Sequence, residues 1–264
     1  MRTLGLEALL LVVVGACSSF EDAPPSDSMS DAGDAGTEAS NGGGDGGVDA
    51  PAPDSGVLPF DDALLARWKF DEKDGTKATD TVGINDATLT APGGWAEGKI
   101  GGAFQTNGNG SATVPMHPSL ALGAEVTVGM WVNCLASESD SFLFTYGANF
   151  NIKLNARSPQ IAVEGGADGG SGGAAKAAYN LPTDEWHHLT FTVKSDVGAI
   201  YVDGFPVQLD AQLLPGALLE PTALAIVIGT DTTGTHHTNG RIDDLRLYKR
   251  ALTNEEVAKL AAFR

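Results

Sequence analysis

The residues with the most evident chemistry in this 264-residue sequence are its histidines and carboxylates. His187-His188 and His236-His237 are adjacent pairs, and imidazole is a common zinc ligand. Neighbouring side chains on a strand point to opposite faces, and no Cys2His2 spacing accompanies either pair. The first pair therefore reads as part of a packed hairpin and the second as an exposed polar loop. Retaining hydrolysis of a glycosidic bond needs two carboxylates about 5 Å apart. The nearest approach to such a pair, Glu138-Ser139-Asp140, falls among loop residues and lacks a closing Glu. No G-x-S-x-G elbow stands between a strand and a helix, and no H-E-x-x-H occurs. Gly165 to Ala175 holds six glycines, but no G-K-[ST] or G-x-G-x-x-G lies between a strand and a helix, so it reads as a flexible loop rather than a phosphate cradle. Cys134 sits in an apolar run and reads as a small buried hydrophobe, not a nucleophile. The expectation is a protein that is not an enzyme.

Charge narrows the partners. Sixteen basic against 34 acidic residues give a formal charge of -18, and no cluster of Lys and Arg is present to meet phosphates, which argues against nucleic acid. Thirty-four Gly and 13 Pro imply many turns, while four Trp and ten Phe suffice for one core. Half of the charge lies in one segment. Ser18 to Val57 carries nine acids, no base and hardly a large apolar residue, so it cannot bury enough surface to offset chain entropy and is expected to be a disordered linker. Residues 58–264 keep 24 acids and 15 bases, a net of -9.

The elements that must position any site are strands. Leu64, Ala66, Trp68 and Phe70 fall on one side of a first strand, and Val126, Val128, Met130 and Val132 on one side of another, with Trp131 opposite. Phe142 to Tyr146, Asn151 to Asn155 and Gln160 to Glu164 are shorter runs, with Asn149 and Ser158-Pro159 at the turns. Asp184 to Val193 and Ala199 to Gly204 form a hairpin whose second strand ends in an Asp203-Gly204 turn. In Gly240 to Lys249, simple alternation puts Ile242, Asp244, Arg246 and Tyr248 on one face and Asp243, Leu245, Leu247 and Lys249 on the other. Thr253 and Glu256 then make a capping box, and Val257, Leu260 and Ala261 give the helix that follows one apolar stripe.

The Trp68-Lys-Phe-Asp-Glu72 strand, the Gly94-to-Phe104 segment, the Trp186-His-His…Tyr201-Val-Asp-Gly204 hairpin and the closing Ile242-Asp-Asp-Leu-Arg-Leu-Tyr-Lys-Arg-Ala-Leu252 run together resemble the laminin-G-like jelly-roll domains of the concanavalin A-like lectin and glucanase superfamily. The resemblance implies an all-β fold, an antiparallel two-sheet jelly-roll sandwich with a short C-terminal helix, over residues 58–264. It implies that the first and last strands lie side by side, Trp68 beside Leu245, with Arg250 paired to an acid near Asp71 or Glu72. It also implies a glycan or glycoprotein as binding partner, and a calcium ion held by Asp80, Asn85 and Asp243, with Asp71 or Asp244 in reserve. The alternative for Asp80 and Asn85 is that they close turns, and for Asp243 that it pairs with an arginine. Trp95, Phe150, Tyr179 and the His236-His237 loop are the candidates for contact with sugar rings.

The apolar run Ala8 to Ala16 is too short to span a bilayer and suits the core of a secretion signal. Val14-Gly15-Ala16-Cys17 resembles the lipobox of bacterial lipoproteins, which implies cleavage after residue 16 and lipidation of Cys17. Residues 1–17 are then signal and lipidated cysteine, 18–57 a linker, and 58–264 the folded head. Ser18, rather than Asp, follows the cysteine, so the expected location is the outer membrane of a bacterial cell envelope, with the lipid anchor in the membrane.

Overall fold

In a computed structural model of the chain, the structure describes residues 57–135, 140–147, 150–163, 173–195, 197–209 and 225–264. The expected signal, Cys17 and all but the last residue of the linker lie outside these residues. Strands run in the order β1 (Leu64–Trp68), β2 (Lys77–Ala78), β3 (Ala87–Thr90), β4 (Gly94–Glu97), β5 (Gly102–Gln105), β6 (Ser111–Val114), β7 (Glu125–Cys134) and β8 (Asp140–Tyr146). They continue with β9 (Phe150–Asn155), β10 (Ser158–Val163), β11 (Gly173–Lys176), β12 (Trp186–Lys194), β13 (Val197–Val202), β14 (Phe205–Pro206), β15 (Ile226–Ile228) and β16 (Gly240–Tyr248), before helix α1 (Asn254–Ala262).

Two antiparallel sheets stack as a sandwich. The first runs β14-β13-β12-β7-β16-β5-β4, with β1 also paired to β16, and the second runs β11-β10-β9-β8-β15-β6-β3-β2. Their inner faces supply one core: Val126, Val128, Met130 and Val132 of β7 meet Phe144, Phe150, Ile152 and Ile226 of the other sheet. β1 lies against β16 with Trp68 opposite Leu245, as expected from the resemblance.

Alternation in β16 fails at one point. Asp244 adopts φ 46°, the pairing with β7 shifts between Asp243 and Arg246, and the strand bulges. Ile242, Leu245 and Leu247 consequently all enter the core, where unbroken alternation would have put Ile242 on the opposite face. A second small core of Tyr201, Tyr248, Leu252, Val257, Leu260 and Phe263 seats α1. The Thr253 and Glu256 capping box is present, and burial of Val257, Leu260 and Ala261 matches the apolar stripe. Arg250 pairs with Glu256 at 2.7 Å rather than with an acid near β1, because the capping-box glutamate lies only six residues away. Ser158-Pro159 opens β10; the turn before it is made by Ala156 and Arg157, at φ 46° and 73°. Asn149 lies outside the described residues, as does most of the glycine-rich loop, whose last residues from Gly173 form β11.

Candidate functional site

The outer face of the second sheet is polar because β9 alternates strictly: Phe150, Ile152 and Leu154 turn into the core, and Asn151, Lys153 and Asn155 turn outward. The connection from β15 to β16 returns over this face, where Phe142 and His237 form a parallel bridge. Asp231 shapes that connection. Its carboxylate accepts hydrogen bonds from the Thr233 and Thr235 hydroxyls at 2.8 and 3.0 Å and from the Thr235 N–H at 2.8 Å, and it pairs with His236 Nδ1 at 2.8 Å. Asp140, Phe142, Asn151, Lys153, Asp231, Thr232, Thr233 and His236 enclose a cleft of about 250 Å3.

Within the cleft, Lys153 Nζ donates to Asp140 Oδ2 at 2.7 Å and sits 5.1 Å from the Phe142 ring centre. His236 lies against the same ring with a centroid separation of 5.6 Å. Burial alone would raise the Asp140 carboxyl, but the hydrogen bonds from Lys153 and Asn155 outweigh it and hold the group below the usual carboxylate range. Burial opposes ionisation of Asp231 as well, and the bonds from His236, Thr235 and Thr233 again prevail, holding it far below that range. Both acids are therefore ionised acceptors at neutral pH. Asn151 is only 3% exposed and lines the cleft.

The expected metal residues fall in two places. Asp80 and Asn85 share one turn, where Asp80 Oδ1 accepts from the Arg67 and Val82 N–H groups and Oδ2 from the Asn85 N–H and side-chain amide. Four donors fill that carboxylate. Asp243 is fully buried; Oδ2 accepts the Ile100 N–H at 2.8 Å and Oδ1 has no hydrogen-bond partner. Burial, opposed by the Ile100 N–H but aided by the nearby Asp244 and Asp71 carboxylates, pushes Asp243 up to about 7. The segment around it is cut to fit. A Cβ on Gly98 would come within 2.7 Å of Asp243 Oδ2, and one on Gly101 would collide with Asp71 Oδ1. Asp71 and Asp243 line one small cavity, and Asp243 Oδ1 is an oxygen without a hydrogen-bond partner. Among the described residues no group of three or more His, Cys, Asp or Glu side chains converges.

The candidate aromatics separate similarly. Phe150 is core, 1% exposed and edge-on to Phe144, so it is no sugar platform. Trp95 is half-buried and donates Nε1–H to the Asp74 and Gly75 carbonyls. Tyr179 is exposed, and the His236-His237 loop does reach a cleft. Phe142, Asn151, Lys153 and Asp231 are missed by motif reading, since none belongs to a motif, and Asp140 is met only as part of the Glu138-Ser139-Asp140 run. The available signal was the polar face of Asn151, Lys153 and Asn155 in an alternating strand. Cys134 is a free, buried thiol, and burial pushes it up to about 12.

The fold and cleft define an all-β jelly-roll sandwich with a polar recess on one outer face. Residues 106–258, more than half of the chain, match the laminin-G-type family of the concanavalin A-like lectin/glucanases superfamily, and the chain belongs to that family. Among solved structures, domain 4 of AbnA, a GH43 extracellular arabinanase from Geobacillus stearothermophilus in complex with arabinotriose, is similar at TM-score 0.57 and 24% identity, covering 75% of this chain and 98% of that one. The binding domain of Paraclostridial Mosquitocidal Protein 1 is similar at TM-score 0.61 and 15% identity, over 76% of this chain and 52% of that one. The ligand binding domain of botulinum neurotoxin serotype D in complex with N-acetylneuraminic acid is similar at TM-score 0.58 and 13% identity, over 77% and 51%. At these identities the likeness is one of fold. Adhesion G-protein coupled receptor V1 of Danio rerio is 28% identical over 87 residues, 33% of this chain and 1% of that protein.

Proposed function

We propose that this protein is a noncatalytic binding module for a carbohydrate or glycoprotein, carried on a lipid-anchored bacterial envelope protein. The observation that carries the reading is the cleft lining, in which Asn151, the Lys153 ammonium and the ionised Asp140 and Asp231 carboxylates come together beside the Phe142 ring. Sugar hydroxyls both donate and accept, and such a set satisfies both demands while Phe142 and His236 supply apolar contact. The cleft volume is below the roughly 300–1,000 Å3 usual for enclosed ligands, which suits a terminal sugar ring. The similar folds solved with arabinotriose and N-acetylneuraminic acid support the same class of ligand. A hydrolase reading is weaker here. It requires one carboxyl group that retains its proton near neutral pH, and Asp140 and Asp231 are both held ionised.

The test is a glycan array probed with the full chain, alongside Asn151→Ala. Binding without release of reducing sugar, lost in the variant, is the expected result; silence across the array, or turnover, overturns the reading. The anchor rests on Cys17 and the preceding apolar run. Cys17→Ser should move the protein out of the membrane fraction, and its retention there would refute lipidation. Asp243 and Asp71 are the residues that would hold calcium, whose charge would offset the repulsion between them. Calcium should raise the melting temperature of the natural protein and leave Asp243→Asn unmoved; an equal shift in both rejects the site.

A further inference from the structure

The opposite face of the sandwich carries a second recess with different chemistry. The Asp203-Gly204 turn joins β13 to β14 with φ 52° and 86°, the positive values a two-residue I′ hairpin requires. Gly204 packs on α1, where an added Cβ would come within 3.1 Å of Ala258 Cα and 3.2 Å of Ala261 Cβ. Small residues on that side of the helix, Ala258, Ala261 and Ala262, leave a groove of about 450 Å3 between α1 and the hairpin. Trp131 lines it, with Trp186 and Phe205 alongside, and Phe205 is 75% exposed.

Two cations converge there. Lys99 Nζ and the Arg264 guanidinium each lie 5.1 Å from the Trp131 ring centre; among the described residues neither forms an ion pair, and Arg264 Nη1 donates to the Phe263 carbonyl at 3.5 Å. The lining acid is Asp203, whose oxygens are already engaged by the His188 N–H at 2.9 Å and His187 Nδ1 at 2.9 Å. In a head whose net charge is negative, this places two unpaired cations beside exposed aromatic surface.

We infer that this groove binds a carboxylate-bearing sugar, a hexuronate, with its carboxylate between Lys99 and Arg264 and an apolar ring face against Trp186 or Phe205. A charged fork anchors a carboxylate, and stacking on the aromatic rings is what selects a saccharide over a simple anion. The groove volume falls within the usual range for small-ligand sites. The inference stands apart from the cleft on the other sheet, which shares none of these residues.

The experiment is titration of the full chain with digalacturonate, followed by tryptophan fluorescence, with neutral galactobiose and inorganic phosphate as the comparison ligands. Digalacturonate should bind most tightly and weaken as salt is raised. The double variant Lys99→Ala/Arg264→Ala should lose at least about tenfold in affinity with its melting temperature unchanged, since both side chains are exposed. Trp186→Ala should weaken binding too, whereas Asn151→Ala should leave it intact. Absence of digalacturonate binding at millimolar concentration, equal binding of galactobiose, equal binding of phosphate, or full affinity in the double variant would each overturn the assignment.

Discussion

On the outer face of the sheet containing β7 and β16, Arg67, Asp244 and Arg246 lie beneath α1, nearly sealed from water; on the outer face of the other sheet, Asp140 and Lys153 pair at the mouth of an open cleft. Both faces descend from strands that alternate apolar and polar residues, yet their charges do different things. Under the helix, Asp244 is shared by Arg67 at 2.6 Å and Arg246 at 3.0 Å, while Phe263 stacks over the Arg246 guanidinium at 4.3 Å. Burial would raise the Asp244 carboxyl, but the two arginines hold it below the usual range. Covered charges cannot exchange partners with water, so Asp244 has to be matched by Arg67 and Arg246 within the fold, even though Arg246 Nη1 and Nη2 are held there by charge and the Phe263 ring without a hydrogen-bond partner. At the cleft, water and a ligand can both reach the charges, and incompleteness becomes an opportunity for recognition.

The comparison can be broken most directly at Asp244. Asp244→Ala leaves two buried guanidinium groups without their shared carboxylate and should cost about 3–5 kcal/mol in urea unfolding. A loss near zero would mean that the covered face tolerates lone charges as an open one does. The next effect is a pH dependence confined to the covered face. His188 is buried between the Trp131 edge and the Thr190 hydroxyl, with Asp244, Arg246, Asp203 and Arg264 as its charged neighbours. Burial, only partly opposed by Asp244, pulls its imidazole down to about 4. The unfolded chain takes up this proton below about 6.5 and the folded chain does not, so stability is lost as pH falls from about 6.5 toward 4, by up to roughly 3 kcal/mol. His188→Gln should flatten that part of the pH curve, and an unchanged slope would show that other groups control it.

Smaller effects sharpen the contrast. Thr253→Ala removes the hydroxyl that accepts the Glu256 N–H and should cost about 1 kcal/mol, loosening the cover without touching the charges. Lys153→Ala breaks a partly exposed pair and should change stability by less than about 1 kcal/mol. The same variant should nevertheless lower glycan affinity about tenfold, because it removes a charge-assisted donor from the cleft. A large stability loss there with unchanged affinity would reverse the roles given to the two faces.

Much of this arrangement is legible before any coordinates. The pairing of Trp68 with Leu245, the buried row of β7, the Asp203-Gly204 turn and the Thr253 capping box each follow from local periodicity or from a short run of matching residues. The bulge at Asp244 does not, since an aspartate in a left-handed conformation leaves no mark in the residue pattern. That single residue decides that Ile242 joins Leu245 and Leu247 in the core. Phe150 illustrates the opposite limit: an aromatic next to a turn reads equally well as platform or core, and only its position opposite the other sheet resolves the two.

By itself the sequence determined the longer strands, the cap and the charge balance, because those depend on neighbours within a few residues. The tertiary structure alone decided which charges are covered and which are offered to a ligand. Asp140 and Asp231 stand 91 positions apart in the chain and share a cleft only because β8 pairs with β15 and the loop beyond β15 folds back. Long-range pairing of that kind is set by the packing of two whole sheets, a property that no local stretch of residues contains.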